Sequence, residues 1–207
     1  MCGRYIITTP SEILAKYFKA TLPNGPIPIR NNAAPSQMLP VILEDEPNQI
    51  VMAHWGYPIH LGKGEKELIN IRAESIAEKP FFKKAAQKHR CIILADGFYE
   101  WKKELGKNQP YKFTVSHSPI AFAGVFKWQQ KKLTDEMLPF FSIITVPANE
   151  FMTSIHDRMP VILPEGNEKV WLEKPFSLDE LHPFKGKMTA NAVSTLLNNA
   201  KNENVPI

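Results

Sequence analysis

Proline recurs along the whole of this chain, 18 times in 207 residues. Each proline fixes φ at about −65° and removes a backbone donor, so a helix has few places to run unbroken. That argues against a helical bundle and favours turns joining extended segments. The segments between the prolines agree. "RCIILADGFYEWKK" reads as a buried strand, an Asp96-Gly97 turn signal and an alternating strand. Strands are expected at Pro40–Leu43 and Gln49–Trp55, joined by an acidic turn, and again at 111–115, 120–127, 140–146 and 160–163. A helix should start at Thr9-Pro10-Ser11-Glu12, with Thr9 capping and Glu12 closing a capping box. Further helices are expected over 75–89, interrupted at Pro80, and in short pieces at 148–154 and 165–173. Residues 20–36, rich in Pro and Asn, read as loop. The last ten residues read as a polar, mobile tail. With 43% of residues hydrophobic, the chain can build one sizeable core. The expected class is α+β, one domain over residues 1–207 around a curved sheet.

Charge and cysteine content narrow the function classes. The net charge of +4 suits a polyanionic partner without requiring one. Cys2 and Cys91 are the only cysteines, too few for a disulfide framework or a Cys-rich metal site. No HExxH spacing occurs, so neither a metal nor another cofactor is expected. No basic segment followed by an apolar run opens the chain, and no apolar stretch approaches the ~20 residues of a membrane span. A cytoplasmic, nucleoid-associated monomer with free thiols is the expectation.

Chemistry concentrates in a few short stretches. In "MCGRY", loss of Met1 would leave Cys2 with an α-amine and a thiol on adjacent carbons; otherwise Cys2 is merely a tolerated second residue. An α-amine has a pKa of about 7.7–8.0 against about 10.4 for lysine, so it is the better-poised nucleophile toward an aldehyde. The thiol could then close on the imine as a five-membered thiazolidine. Gly3 would let a substrate approach the backbone, and Arg4 is placed to raise the thiolate fraction. In "ADGFYEW", Phe98 and Glu100 should share one strand face, Tyr99 and Trp101 the other. Glu100 is either a surface residue or an acid with a raised pKa. In "SIHDRMPVIL", His156 is a loop histidine, structural or available as general acid or base. In "LINIRAES", Asn70 can orient an amine or hydroxyl and Arg72 can hold a phosphate, or both are ordinary turn and surface residues. Trp55, Tyr57 and Trp101, mixed with Arg4, Arg30, Arg72 and Arg158, fit a groove that stacks bases along a single strand; each aromatic alone reads more readily as core. No helix-turn-helix, zinc finger or Walker loop is present.

Taken in order, "MCGRY", "NNAAPSQMLPVI", "WGYPI", "INIRAES", "ADGFYEW", "IHDRMPVIL" and the closing "AVSTLLNNAKNENVPI" resemble the SRAP family, named for SOS-response-associated peptidases and acting as shields of abasic sites on single-stranded DNA. The resemblance implies one α+β domain with a barrel-like, mainly antiparallel sheet and flanking helices. It implies that Cys2, after loss of Met1, forms a thiazolidine with the ring-opened abasic sugar, with Asn70, Glu100 and His156 catalytic or orienting. It implies DNA contacts from Arg4, Asn32, Trp55, Arg72, Trp101 and Arg158. Two other classes stay open. One is an N-terminal-nucleophile amidohydrolase or peptidase, which also begins Met-Cys-Gly, although Arg4 stands where those enzymes carry an aliphatic residue. The other is a non-catalytic single-strand-binding module.

Overall fold

The computed structural model describes residues 2–61, 64–104, 106–116, 118–130 and 135–203. Its strands are β1 (Arg4–Ile7), β2 (Arg30–Ala33), β3 (Met38–Leu43), β4 (Glu46–Trp55), β5 (Tyr57–Leu61), β6 (Gly64–Leu68), β7 (Asn70–Arg72), β8 (Arg90–Ala95), β9 (Gly97–Glu104), β10 (Lys107–Val115), β11 (Ile120–Gln130), β12 (Met137–Pro147), β13 (Arg158–Pro160) and β14 (Met188–Ala192). The helices are α1 (Ser11–Phe18), α2 (Ala73–Glu78), α3 (Pro80–Lys88) and α4 (Val170–Glu173). Among the described residues, no helix is long and apolar enough to cross a membrane.

Five strands form a closed ring in the order β11-β8-β3-β4-β12, with β12 returning to β11. Closure leaves no free edge, and the pairings are antiparallel except for β12 with β4. Both faces of β8 are covered, so all six of its residues are buried, as its unbroken apolar run predicts. Where β11 crosses β12, Gly124 is needed for closeness: a Cβ there would lie 2.7 Å from the Ser142 carbonyl oxygen. A second sheet runs β14-β10-β9-β1-β2. The expected α+β class with a barrel-like sheet and flanking helices is the class observed.

Asp96 marks the passage between the two sheets. β8 and β9 do not form a hairpin, contrary to the turn signal; β8 belongs to the barrel and β9 to the second sheet. The Asp96 carboxylate accepts from the Thr8 and Thr9 backbone N–H groups at 2.6 and 2.8 Å, and from the Thr9 hydroxyl at 2.5 Å. Thr9 is thereby drawn away from capping. Helix α1 starts after Pro10 without a side-chain cap, so the expected capping box does not form.

Other local differences have similar tertiary causes. Residues 30–33 are strand rather than loop, because β1 offers an edge: Tyr5 pairs with Ala33 and Ile7 with Arg30. Residues 148–154 form turns rather than a helix, with the Asn149 side chain accepting from Met152 N–H and donating to the Phe184 carbonyl. Only residues 170–173 of the expected 165–173 helix are α-helical. The expected 160–163 strand is shifted: β13 ends at Pro160, and Ile162 makes a single bridge to Phe122. The expected interruption at Pro80 separates α2 from α3. The described part of the tail is tied down rather than mobile, since Asn32 Nδ2 donates to the carbonyls of Asn199 and Asn202 at 3.0 and 3.1 Å, and Arg30 pairs with Glu203 at 3.1 Å. Residues 204–207 lie outside the described residues.

Candidate functional site

Two strand pairings assemble the site. β1 runs antiparallel to β9, with Arg4 opposite Tyr99, which brings Cys2 close enough to Glu100 to feel its charge. β12 carries β7 on one side and β13 on the other, with Asn70 opposite Ile143 and Pro147 opposite Arg158. Asn70 opens β7, and His156 lies in the turn leading into β13. Asn70 Nδ2 donates to the Cys2 carbonyl at 2.9 Å. His156 Nε2 lies 3.8 Å from Glu100 Oε2. Cys2, Asn70, Glu100 and His156, scattered over the chain, thus share one place. Met1 lies outside the described residues.

Burial dominates the electrostatics. Cys2 is fully enclosed, which pushes its thiol well above the usual range, and the Glu100 charge adds to the rise. The expected assistance from Arg4 is absent: its guanidinium turns to the Gly3 carbonyl at 2.8 Å and toward the Trp101 ring at 6.0 Å. The thiol is therefore held protonated. Glu100 is 2% exposed, and burial raises its pKa to about 7, opposed in part by the positive chain terminus. A carboxyl at that value exchanges a proton readily near neutrality. Burial also lowers the His156 pKa, which keeps the ring neutral. Its Nδ1 accepts from the Arg158 backbone N–H at 3.0 Å. Asp157 Oδ1 also lies 3.1 Å from Nδ1, and Nε2 is the nitrogen nearer Glu100. Asn70 Oδ1 is buried without a hydrogen-bond partner among the described residues. An acceptor left in that state is costly unless a ligand donates to it.

The other sequence candidates divide sharply. Arg72 is exposed next to Asn70, and Trp101 is partly exposed, its indole N–H donating to Asn198 Oδ1 at 2.6 Å. Arg4 is half-buried, its guanidinium toward the Trp101 ring. Trp55 is fully buried, stacked 6.1 Å from Phe141 and donating to the Ile69 carbonyl at 2.9 Å. Neither of its faces is open to a base, which corrects that expectation. Arg158 is 7% exposed and engaged by Glu74 at 2.5 and 3.0 Å and by the Thr145 carbonyl at 2.7 Å. It braces the His156 turn rather than offering itself to phosphate. Asn32 is fully buried and holds the tail. The sequence reading missed Lys79, Phe81, Phe82 and Lys127, which line a cavity shared with Asn70 and Arg72. The signal was the basic-aromatic run "KPFFKK". Among the described residues no group of His, Cys, Asp and Glu is arranged to hold a metal ion.

The barrel-based α+β fold sets a cysteine near the chain start beside an amide, a buried acid and a histidine. The chain belongs to the SOS response associated peptidase (SRAP) family, whose model matches residues 1–200. It is 39% identical to the abasic site processing protein YoqW of Bacillus subtilis over 98% of this chain and 96% of that one. It is 33% identical to the abasic site processing protein YedK of Escherichia coli over 98% and 96%. A crystal structure of a protein from Bacteroides thetaiotaomicron shares the fold, with a TM-score of 0.83 over 97% of both chains at 24% identity.

Proposed function

We propose that this protein processes abasic sites in DNA by joining Cys2, freed of Met1, to the ring-opened sugar. The α-amine adds to the C1′ aldehyde, and loss of one water gives the imine. The thiol sulfur then bonds to the imine carbon while the thiol proton passes, directly or by relay, to the imine nitrogen, closing a thiazolidine. Single-stranded DNA is the substrate. Peptidase activity is confined on this reading to the Met1-Cys2 bond. The relatives' abasic-site processing supports it, and the observation that carries it is the meeting of Cys2, Asn70, Glu100 and His156. Glu100 gives the proton that opens the sugar ring, and His156 serves the dehydration of the carbinolamine. Asn70 holds the Cys2 backbone so that the terminus and substrate meet in line.

The test is intact mass after mixing with an abasic single strand. The expected product weighs protein plus DNA less one water and survives heating in denaturant. Turnover of glutamine or of a peptide library with no DNA adduct would establish the amidohydrolase or peptidase reading instead. Salt-reversible binding alone would reduce the protein to a single-strand-binding module.

A further inference from the structure

Beside the Cys2 site lies a cavity of about 610 Å³, lined in part by Asn70, Arg72, Lys79, Phe81, Phe82 and Lys127. Its volume falls in the range of sites that take a whole small molecule, about 300–1,000 Å³. Phe81 is 52% exposed, unusual for so large an apolar ring, yet it is braced. Tyr57 meets it edge-on at 6.1 Å and Phe82 at 5.4 Å. The Lys79 ammonium lies 5.9 Å from the Phe82 ring centre. Three side chains of the wall are cationic and none is a carboxylate. An open, fixed aromatic face rimmed by cations suits a flat ring carried on a phosphate. The cavity and the Cys2 site share Asn70, whose amide points to Cys2, so a ring seated here belongs to a residue next to the reacting one.

We propose that this cavity receives the base of a nucleotide flanking the abasic site, stacked on Phe81 with its phosphate held by Arg72 and Lys79. This deepens, and rests on, the abasic-site reading. Seating a neighbouring base would hold the strand bent at the lesion, with the abasic sugar turned toward Cys2. The ring-on-phosphate chemistry also explains why the lining mixes aromatic rings with three cationic side chains.

The experiment places 2-aminopurine at each of the two positions on either side of an abasic site in a single strand and follows its fluorescence on binding. One flanking position should be quenched much more than the others. Phe81→Ala should abolish that quenching and weaken half-saturation for adduct formation by about 5- to 150-fold, the value of one base stack. Phe81→Trp should restore both quenching and affinity. Uniform quenching, unchanged behaviour of Phe81→Ala, or equal quenching at a blunt duplex end would overturn the proposal. The two readings fail separately. Position-specific quenching without any covalent adduct sinks the abasic chemistry and leaves the base cavity standing. An adduct formed equally well by Phe81→Ala, without quenching, sinks the cavity alone.

Discussion

Replacing Glu100 by Gln tests the proton chemistry most directly. The structure gives Glu100 a pKa of about 7 through burial, and a freed α-amine titrates at about 7.7–8.0. Ring opening needs the protonated acid, and attack needs the neutral amine. Their product peaks between the two values, near pH 7.4, where about a tenth of the molecules hold both forms. Adduct formation by the native protein should therefore rise and then fall across pH 6–9. Glu100→Gln cannot give up a proton. Its rate should drop by about 10²–10⁴-fold, the usual worth of general acid–base catalysis, and its alkaline fall should vanish. Stability offers an independent reading. A buried carboxyl with a raised pKa is neutral in both folded and unfolded states below its ordinary value of 4.5. As pH climbs from 4.5 to 7 the unfolded chain ionises while the folded form still holds its proton, so the native protein should lose stability across that window and level off above it, by about 3 kcal/mol for a gap of ~2.5 pH units. In Glu100→Gln that loss is absent. The assays are single-turnover adduct formation and urea unfolding, each at pH 5 to 9. An unchanged bell-shaped rate profile in the variant, or an equal pH slope of stability, would refute the assignment.

Three further outcomes are expected. Cys2→Ala should form no heat-stable adduct, while borohydride should trap a Schiff base on the remaining α-amine; a full yield of stable adduct would end the thiazolidine mechanism. Arg72→Ala should weaken binding to intact and abasic strands alike, and should flatten the slope of log affinity against log salt by about 0.7, one phosphate contact; an unchanged slope in a filter-binding series would remove Arg72 from the phosphate path. Asn32→Ala should cost about 1–3 kcal/mol by removing two hydrogen bonds, to the Asn199 and Asn202 carbonyls, at about 0.5–1.5 kcal/mol each. Limited proteolysis should then cut the tail first, and equal resistance in variant and native protein would show that the tail is held elsewhere.

Much of the site was legible in the sequence because its members sit in short motifs whose chemistry is local. Cys2, Asn70, Glu100 and His156 each carry a recognisable group, and the structure brings all four together. The aromatic neighbours of Glu100 left a surface residue and a buried acid both open, and the structure buries it. What the sequence could not reveal is which face each strand buries once a second sheet covers it. Trp55 looked available for stacking, yet its ring is closed between Tyr5, at 5.1 Å, and Phe141. Arg158 looked like a phosphate ligand, yet Glu74 comes from 84 residues away to claim it. Strand β2 was missed because its Arg-Asn-Asn composition is poor for a strand, and it forms on the edge that β1 presents. The same long-range capture took Thr9 from its helix and the tail from solvent. In each case a tertiary partner outweighed a local preference.

Burial by itself does not mark a reactive thiol in this chain. Cys91 is as fully enclosed as Cys2, and its pKa is raised likewise by burial and by a nearby glutamate, Glu44. It lies inside the barrel wall, its sulfur 3.0 Å from where a Cβ on Gly124 would fall, and its carbonyl accepts from the Trp171 indole. Among the described residues, the one charge that shifts it is Glu44. Cys2 differs in its company, and that company sets an order of events. On the proposed mechanism, a thiol held protonated does not attack first, so the α-amine makes the opening bond. Once Glu100 has given its proton to the sugar, its carboxylate raises the thiol pKa further, which discourages a free thiolate still more. The thiol proton is then released only as sulfur bonds to the imine carbon and the imine nitrogen gains a proton. On the proposed mechanism, the enclosure that makes Cys2 inert toward passing electrophiles is what delays its sulfur until an imine is in place.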